Sequence, residues 1–100
     1  SFLDRLASTG TPTLVSSGHT HRHRRWNHRG VVVSQVGSTK DYPGVWAGYT
    51  VSERGVSQVV RRVADPTCMA WTDHTRRAAL GMWRWISPGS LRSRCFVHTW

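Results

Sequence analysis

Acidic residues, lysine and cysteine are all scarce in this chain of 100 residues. Five carboxylate side chains stand against fourteen arginine and lysine residues, which gives a formal net charge of +9, and Lys40 is the single lysine. This excess permits attraction to anions such as phosphate esters or nucleic acid. The net charge does not distinguish among these partners, and it does not prove that any of them binds, because arginine scattered along a chain is also typical of a solvated surface.

The two cysteines, Cys68 and Cys95, lack the Cys-x-x-Cys spacing of a zinc or redox site. Each is predicted to be a small buried thiol. Long apolar stretches are missing too: a membrane-spanning helix needs roughly 18 apolar residues in a row, whereas Val31–Val33 has only the length of a strand. No membrane partner is therefore expected. The location in the cell stays open, with the cytoplasm favoured.

Residue spacing and turn signals predict a strand-rich chain. The pattern indicates a helix over 1–9, strands over 13–17, 31–36, 45–51 and 56–63, and a helix over 70–82. The polar segment 19–29 is predicted to be a loop that ends in a hairpin turn containing Asn27 and His28. The tail after Met82 is expected to pack over the sheet as irregular structure.

The segment Gly18-His19-Thr20-His21 directly follows the first predicted strand. Neutral imidazole is a common ligand for zinc, manganese and iron, and two histidines separated by one residue can project to the same side of an extended segment. Two interpretations compete with a catalytic metal site. One is a histidine-rich surface loop, and the other is a mononuclear metal-binding protein in which His23 joins His19 and His21.

The residues from Leu14 to His21 resemble the final metal-binding motif of calcineurin-like metallophosphoesterases, in which an apolar strand runs into Gly-His-x-His. The segment Tyr42–Tyr49 is similar to the sequence that follows this motif in a bacterial branch of the family. The resemblance implies an α/β fold: the C-terminal part of a four-layer α/β/β/α sandwich, mostly β-strands with one helix after them.

The same resemblance implies how the chain is organised. Residues 1–100 would form a single partial domain, and the start at Ser1 rather than methionine suggests that it was cut from something longer. Residues 1–64 would be a strand-rich core that carries the metal-ligand loop 18–23. Residues 65–100 would be a C-terminal helix and a tryptophan-rich tail.

The resemblance further implies that His19 and His21 each bind one ion of a pair of divalent ions, manganese, iron or zinc. The other ligands and the general acid are expected upstream, because no Asp-x-His or Gly-Asp motif occurs in this chain. The whole protein would hydrolyse small phosphate mono- or diesters at this two-metal centre, and this chain alone would be inactive. Arg22 and Arg24, beside the ligands, are candidates for contacting a substrate phosphate through bidentate guanidinium geometry.

A small basic module that binds RNA or DNA is the alternative from another class of protein. Many arginines and six tryptophans are compatible with base stacking along a cationic groove. The tryptophans are dispersed from Trp26 to Trp100, which favours packing over a shared stacking platform. The sequence does not predict the oligomeric state.

Overall fold

The computed structural model describes residues 1–100, which form four helices and six strands in two small sheets. The helices are α1 (Phe2–Ser8), α2 (Pro66–Thr75), α3 (Ala78–Ile86) and α4 (Leu91–Arg94). The strands are β1 (Thr13–Ser17), β2 (Arg24–His28), β3 (Val31–Gln35), β4 (Val45–Ser52), β5 (Gly55–Arg62) and β6 (Phe96–Thr99). The fold is therefore mixed α/β.

The first sheet has the order β1-β3-β2, with β1 parallel and β2 antiparallel to the central strand. Val31, Val32, Val33 and Ser34 are all buried, because a central strand is covered on both faces and β-branched side chains suit it. The predicted loop over 19–29 is wrong in its second half. Arg24–His28 forms the edge strand β2, where polar side chains can remain at the surface while the backbone pairs with β3.

The second sheet has the order β4-β5-β6 and is antiparallel throughout. The predicted hairpin of β4 and β5 is confirmed. The expectation of an irregular tail is wrong: β6 pairs with β5 from Gly55↔Thr99 to Gln58↔Phe96, and Phe96 is buried. A strand of four residues gives little periodic signal, which is why the pattern missed it.

Polar side chains tie the two sheets together. The Ser34 hydroxyl on β3 donates to Oε1 of Gln58 on β5 at 2.5 Å, and both side chains are fully buried. The Gln58 amide then donates to the carbonyl oxygens of Ser93 at 3.2 Å and Arg94 at 2.9 Å. Gln58 thus satisfies all of these groups at once and connects both sheets to α4.

Three helices follow β5, where the sequence predicted one. Helix α2 begins at Pro66, earlier than expected, because the Asp65 side chain accepts the backbone N–H of Cys68 as an N-cap. Between α2 and the rest of α3 the chain turns through left-handed backbone at three consecutive residues, Ala79, Leu80 and Gly81. This turn interrupts the predicted helix over 70–82.

None of the helices combines the length and apolar character that crossing a membrane requires.

The cysteines differ from the prediction that both thiols are buried. Cys68 is exposed near the start of α2 and Cys95 is half-buried before β6, and neither forms a disulfide. The Asp65 carboxylate that caps α2 raises the pKa of the Cys68 thiol, chiefly through a hydrogen bond and also through its negative charge. A raised thiol pKa disfavours the reactive thiolate.

Acid is expected to weaken the N-terminal helix through Asp4. Hydrogen bonds from the Ser1 hydroxyl and from His28 hold the pKa of Asp4 at about 2, below its ordinary value of 3.8. Because the folded-state pKa is depressed, the stabilisation is present above pH 3.8 and is lost as the pH falls towards 2. Thermal melts from pH 5 to pH 2 should show a smaller decline for Asp4→Asn than for wild type. An unchanged decline would contradict this role.

A candidate metal-ligand loop

The loop of residues 18–23 crosses the end of the central strand β3. Ser17, the last residue of β1, is in register with Gln35, and so is Arg24, the first residue of β2. Since adjacent strands lie about 4.8 Å apart, the two ends of the loop are fixed about 10 Å apart on either side of β3. The sheet therefore holds this loop at both ends.

The backbone is strained at the two histidines that the sequence singles out. His19 has a φ of +77° and His21 a φ of +54°, both in the left-handed region that residues other than glycine rarely adopt. Such conformations cost on the order of 1–3 kcal/mol each and concentrate at functional sites. Arg29, Ala79 and Leu80 also have positive φ, but within this loop the left-handed residues are His19 and His21, and Gly18 is not one of them.

Buried polar atoms without a hydrogen-bond partner are concentrated at the same loop. Six side-chain atoms in the structure are in this state, and four of them belong to consecutive residues of the loop: Thr20 Oγ1, His21 Nδ1, Arg22 Nε and His23 Nε2. A fifth is Oε1 of Gln35, at the strand end that the loop crosses. A buried unpaired polar group costs about 1–3 kcal/mol, so a cluster of them needs an explanation.

His21 lies against a carboxylate and an indole ring. Its Nδ1 is 2.6 Å from Oδ2 of Asp41, without the angular alignment of a hydrogen bond, and its ring centroid is 5.4 Å from that of Trp83 on α3. Both members of the pair are shielded, with 29% of the His21 and 18% of the Asp41 side chain exposed. The carboxylate therefore faces Nδ1 and leaves Nε2 as the nitrogen available to a metal ion.

The backbone of the segment that carries Asp41 is held in place by hydrogen bonds to neighbouring residues. The N–H of Gly44 donates to the Asp41 carbonyl oxygen at 2.7 Å, and the N–H of Tyr42 donates to Thr75 Oγ1 on α2 at 2.8 Å. Arg62 on β5 donates to the carbonyl oxygen of Pro43 at 2.9 Å. These contacts fix the segment that presents Asp41 to His21.

His23 is a core residue that anchors the loop. Its side chain is buried, its Nδ1 accepts the Gly37 N–H at 3.3 Å, and its own N–H donates to the Ser87 carbonyl oxygen at 3.0 Å. Burial, with a smaller contribution from Arg94, lowers the pKa of His23 to about 4, so the imidazole is neutral at pH 7. The three histidines do not converge. No three His, Cys, Asp or Glu side chains in the chain are grouped so that they could hold a metal ion.

Arg22 and Arg24, predicted to contact a substrate phosphate, have different surroundings. Arg22 is half-buried within the loop, and Arg24 is exposed at the start of β2 with its guanidinium 5.2 Å from the centroid of the Trp26 ring. Neither forms an ion pair with a carboxylate. Both guanidinium groups are free of a competing internal anion.

His19 and His21 fit a metal site as a partial ligand set. His19 is exposed and His21 has a shielded ring with one free nitrogen, which suits imidazole ligation. Sequence reasoning missed Asp41 and Trp83, which contact His21 from 20 and 62 positions further along the chain. Asp41 could have been found only as a carboxylate in a loop that follows a strand.

Comparison of the chain with family models, with curated proteins and with solved structures found no match.

Proposed function

We propose that this chain contributes His19 and His21 to the two-metal centre of a phosphoesterase. The observation that carries the proposal is the left-handed backbone at both histidines of one Gly-His-x-His loop, together with the Asp41 carboxylate 2.6 Å from His21 Nδ1, which leaves Nε2 of that ring for a metal ion. Left-handed backbone at residues other than glycine is found preferentially at functional sites, where other interactions compensate for its cost.

When bound, a pair of divalent ions acts as a Lewis acid on the phosphoryl oxygens and lowers the pKa of water. The residues of the chain supply ligation and orientation. His19 and His21 offer neutral nitrogen donors, which leave the positive charge of the ions undiminished. Asp41 orients the His21 ring, and Arg22 and Arg24 provide guanidinium groups that are free to donate to the oxygens of a phosphate ester. Small phosphate mono- or diesters are the substrate class.

Manganese titration followed by NMR tests the ligand assignment. Because the chain holds only two proposed ligands, binding is expected to be weak, and Mn²⁺ at substoichiometric concentration should broaden the ring signals of His19 and His21 first. His19→Ala should greatly reduce the broadening at His21. His74→Ala, which removes an exposed histidine of α2, is the matched control. Broadening that centres on His74 or His98 would contradict the assignment.

The chain by itself is expected to show no phosphatase turnover, because no third His, Cys, Asp or Glu completes a metal site. An aryl phosphate incubated with the purified chain and manganese should be hydrolysed no faster than without protein. Turnover that His19→Ala abolishes would show that these 100 residues already contain a complete centre. That outcome would overturn the proposal that ligands from outside these residues complete the metal centre. The assignment of His19 as a ligand would stand.

Removal of the Asp41 carboxylate is expected to weaken metal binding at His21. Carboxylates that orient a ligating histidine contribute roughly 10–100-fold to metal affinity, so Asp41→Ala should weaken Mn²⁺ binding by about tenfold. Ring ¹⁵N NMR should also show the proton of His21 moving from Nδ1, beside the carboxylate, to Nε2. Glu53→Ala, in the exposed β4–β5 turn, is the control. A tautomer unchanged by Asp41→Ala would contradict the orienting role even if metal binds.

A further inference from the structure

A cleft of about 290 Å³ lies between the edge strand β2 and the short helix α4. It shares no residue with the loop 18–23. Its polar lining consists of two arginines, an asparagine and two serines: Arg25, Arg92, Asn27, Ser90 and Ser93. Trp26 contributes to its wall.

The charge of the cleft is not neutralised within the protein. The ion pairs of the structure involve Asp4, Asp41 and Asp73, and none of them includes Arg25 or Arg92. Asp73 is also the last acidic residue of the sequence, so the whole segment that contributes α4 carries only positive charge. Two guanidinium groups therefore face one cleft without a counter-ion from the chain.

One of these guanidinium groups has a defined position. Arg25 shares a face of the first sheet with Ser34, its register partner on β3, and its Cζ lies 4.1 Å from the centroid of the Phe96 ring. Phe96 is only 8% exposed, so this cation–π contact holds the guanidinium against a fixed surface. Arg92 is exposed on α4 and is free to reach an anion beside it.

The acceptors around the cleft are already occupied, whereas donors remain. The Asn27 Oδ1 accepts the Gly30 N–H at 2.8 Å, which leaves the Asn27 amide protons. The Ser90 carbonyl oxygen accepts the N–H groups of Ser93 and Arg94, and the Ser93 carbonyl oxygen accepts from Gln58. The hydroxyl oxygens of Ser90 and Ser93 lie 3.0 Å apart, so one hydroxyl donates a hydrogen bond to the other. The second hydroxyl proton remains available to a bound anion.

We propose that this cleft binds the phosphate group of a small anion through Arg25 and Arg92, with Asn27 and the paired serine hydroxyls as further donors. A phosphate has more acceptor oxygens than a carboxylate, and a set of two guanidinium forks, an amide and a hydroxyl matches it better. The site is separate from the proposed metal centre.

Inorganic phosphate, added at constant ionic strength while the protein is followed by ¹H–¹⁵N NMR, tests the site. Saturable shifts are expected at the Asn27 side-chain amide, the Ser93 amide and the Arg25 Nε–H. Arg92→Gln, an exposed change that should leave the fold intact, should weaken binding at least tenfold. Arg25→Gln should do the same, with its fold checked by thermal melting because it contacts Phe96.

Arg84→Gln is the matched control, since Arg84 is also exposed and without a carboxylate partner but lies on α3. It should leave the phosphate affinity unchanged. The phosphate titration is carried out without divalent metal, so that failure of this proposal is distinguishable from failure of the metal centre. Phenyl phosphate in place of inorganic phosphate distinguishes an ester from the free ion, and saturable binding of either supports the site. Shifts that grow linearly without saturation, or an Arg92→Gln affinity equal to that of Arg84→Gln, would overturn it.

Discussion

Replacing Gln58 by leucine is expected to destabilise the protein by about 3 kcal/mol, because it leaves several buried groups unpaired. The Ser34 hydroxyl, which is 0% exposed, would lose its acceptor, and the carbonyl oxygens of Ser93 and Arg94 would lose a donor. Unfolding in urea, followed through tryptophan fluorescence, measures the loss. For a chain of this size, a loss of this magnitude is a large share of the total stability.

The same substitution at Gln35 is the control for Gln58→Leu. The Gln35 Oε1 is already buried without a partner, so leucine there should cost little or should stabilise the protein. Ser34→Ala combined with Gln58→Leu should destabilise by less than the sum of the single changes, because each removes one side of the same hydrogen bond. Equal losses for the leucine variants at 58 and 35 would show that the bridge between the sheets contributes nothing.

Gly55→Ala is the second change for which a large effect is expected, at about 2–3 kcal/mol of destabilisation. A methyl group at residue 55 would overlap the carbonyl oxygen of His98 on the paired strand β6. Backbone cannot yield as a flexible side chain does, so the pairing of β5 with β6 must shift. The indole of Trp100, whose N–H donates to Ser52, should then become more exposed. Urea unfolding and the tryptophan emission maximum measure the two effects.

Gly18→Ala is the matched change, measured for stability alone. No atom lies within 4 Å of the position that its Cβ would take, and its φ is not in the left-handed region. Alanine there should stabilise by about 0.4–1 kcal/mol through lower entropy of the unfolded chain. If Gly55→Ala were as mild as Gly18→Ala, the close approach of β5 to β6 would be wrong.

Strands rich in valine and bounded by glycine or proline could be predicted from the sequence. β1, β3, β4 and β5 all lie close to the positions that the pattern indicates. β2 was missed because an edge strand needs no apolar face, and its arginines and asparagine resemble a loop. The start of α2 was missed for another reason: Asp65-Pro66 was interpreted as a break, although an N-cap followed by proline also begins a helix.

Only the part of the candidate site that lies within one short segment of the sequence could be predicted. The Gly-His-x-His spacing pointed to His19 and His21, but nothing near them indicates that Asp41 and Trp83 approach from other segments. His23 continues the same alternation and nevertheless turns into the core, because the left-handed residues of the loop break the extended geometry that alternation assumes. Positive φ at residues other than glycine has no reliable sequence signal.

The placement of loop 18–23 across the end of β3 has a consequence for the time scale on which the histidines can move. β3 is hydrogen-bonded on both sides and has four consecutive buried residues, so its amides should exchange with solvent only through the rarest openings of the chain. Exposed parts such as the turn at Leu80 can open far more often. The strands that flank both ends of the loop are paired with β3, whose amides exchange slowly. Frequent local opening elsewhere in the chain should therefore leave the spacing of His19 and His21 intact.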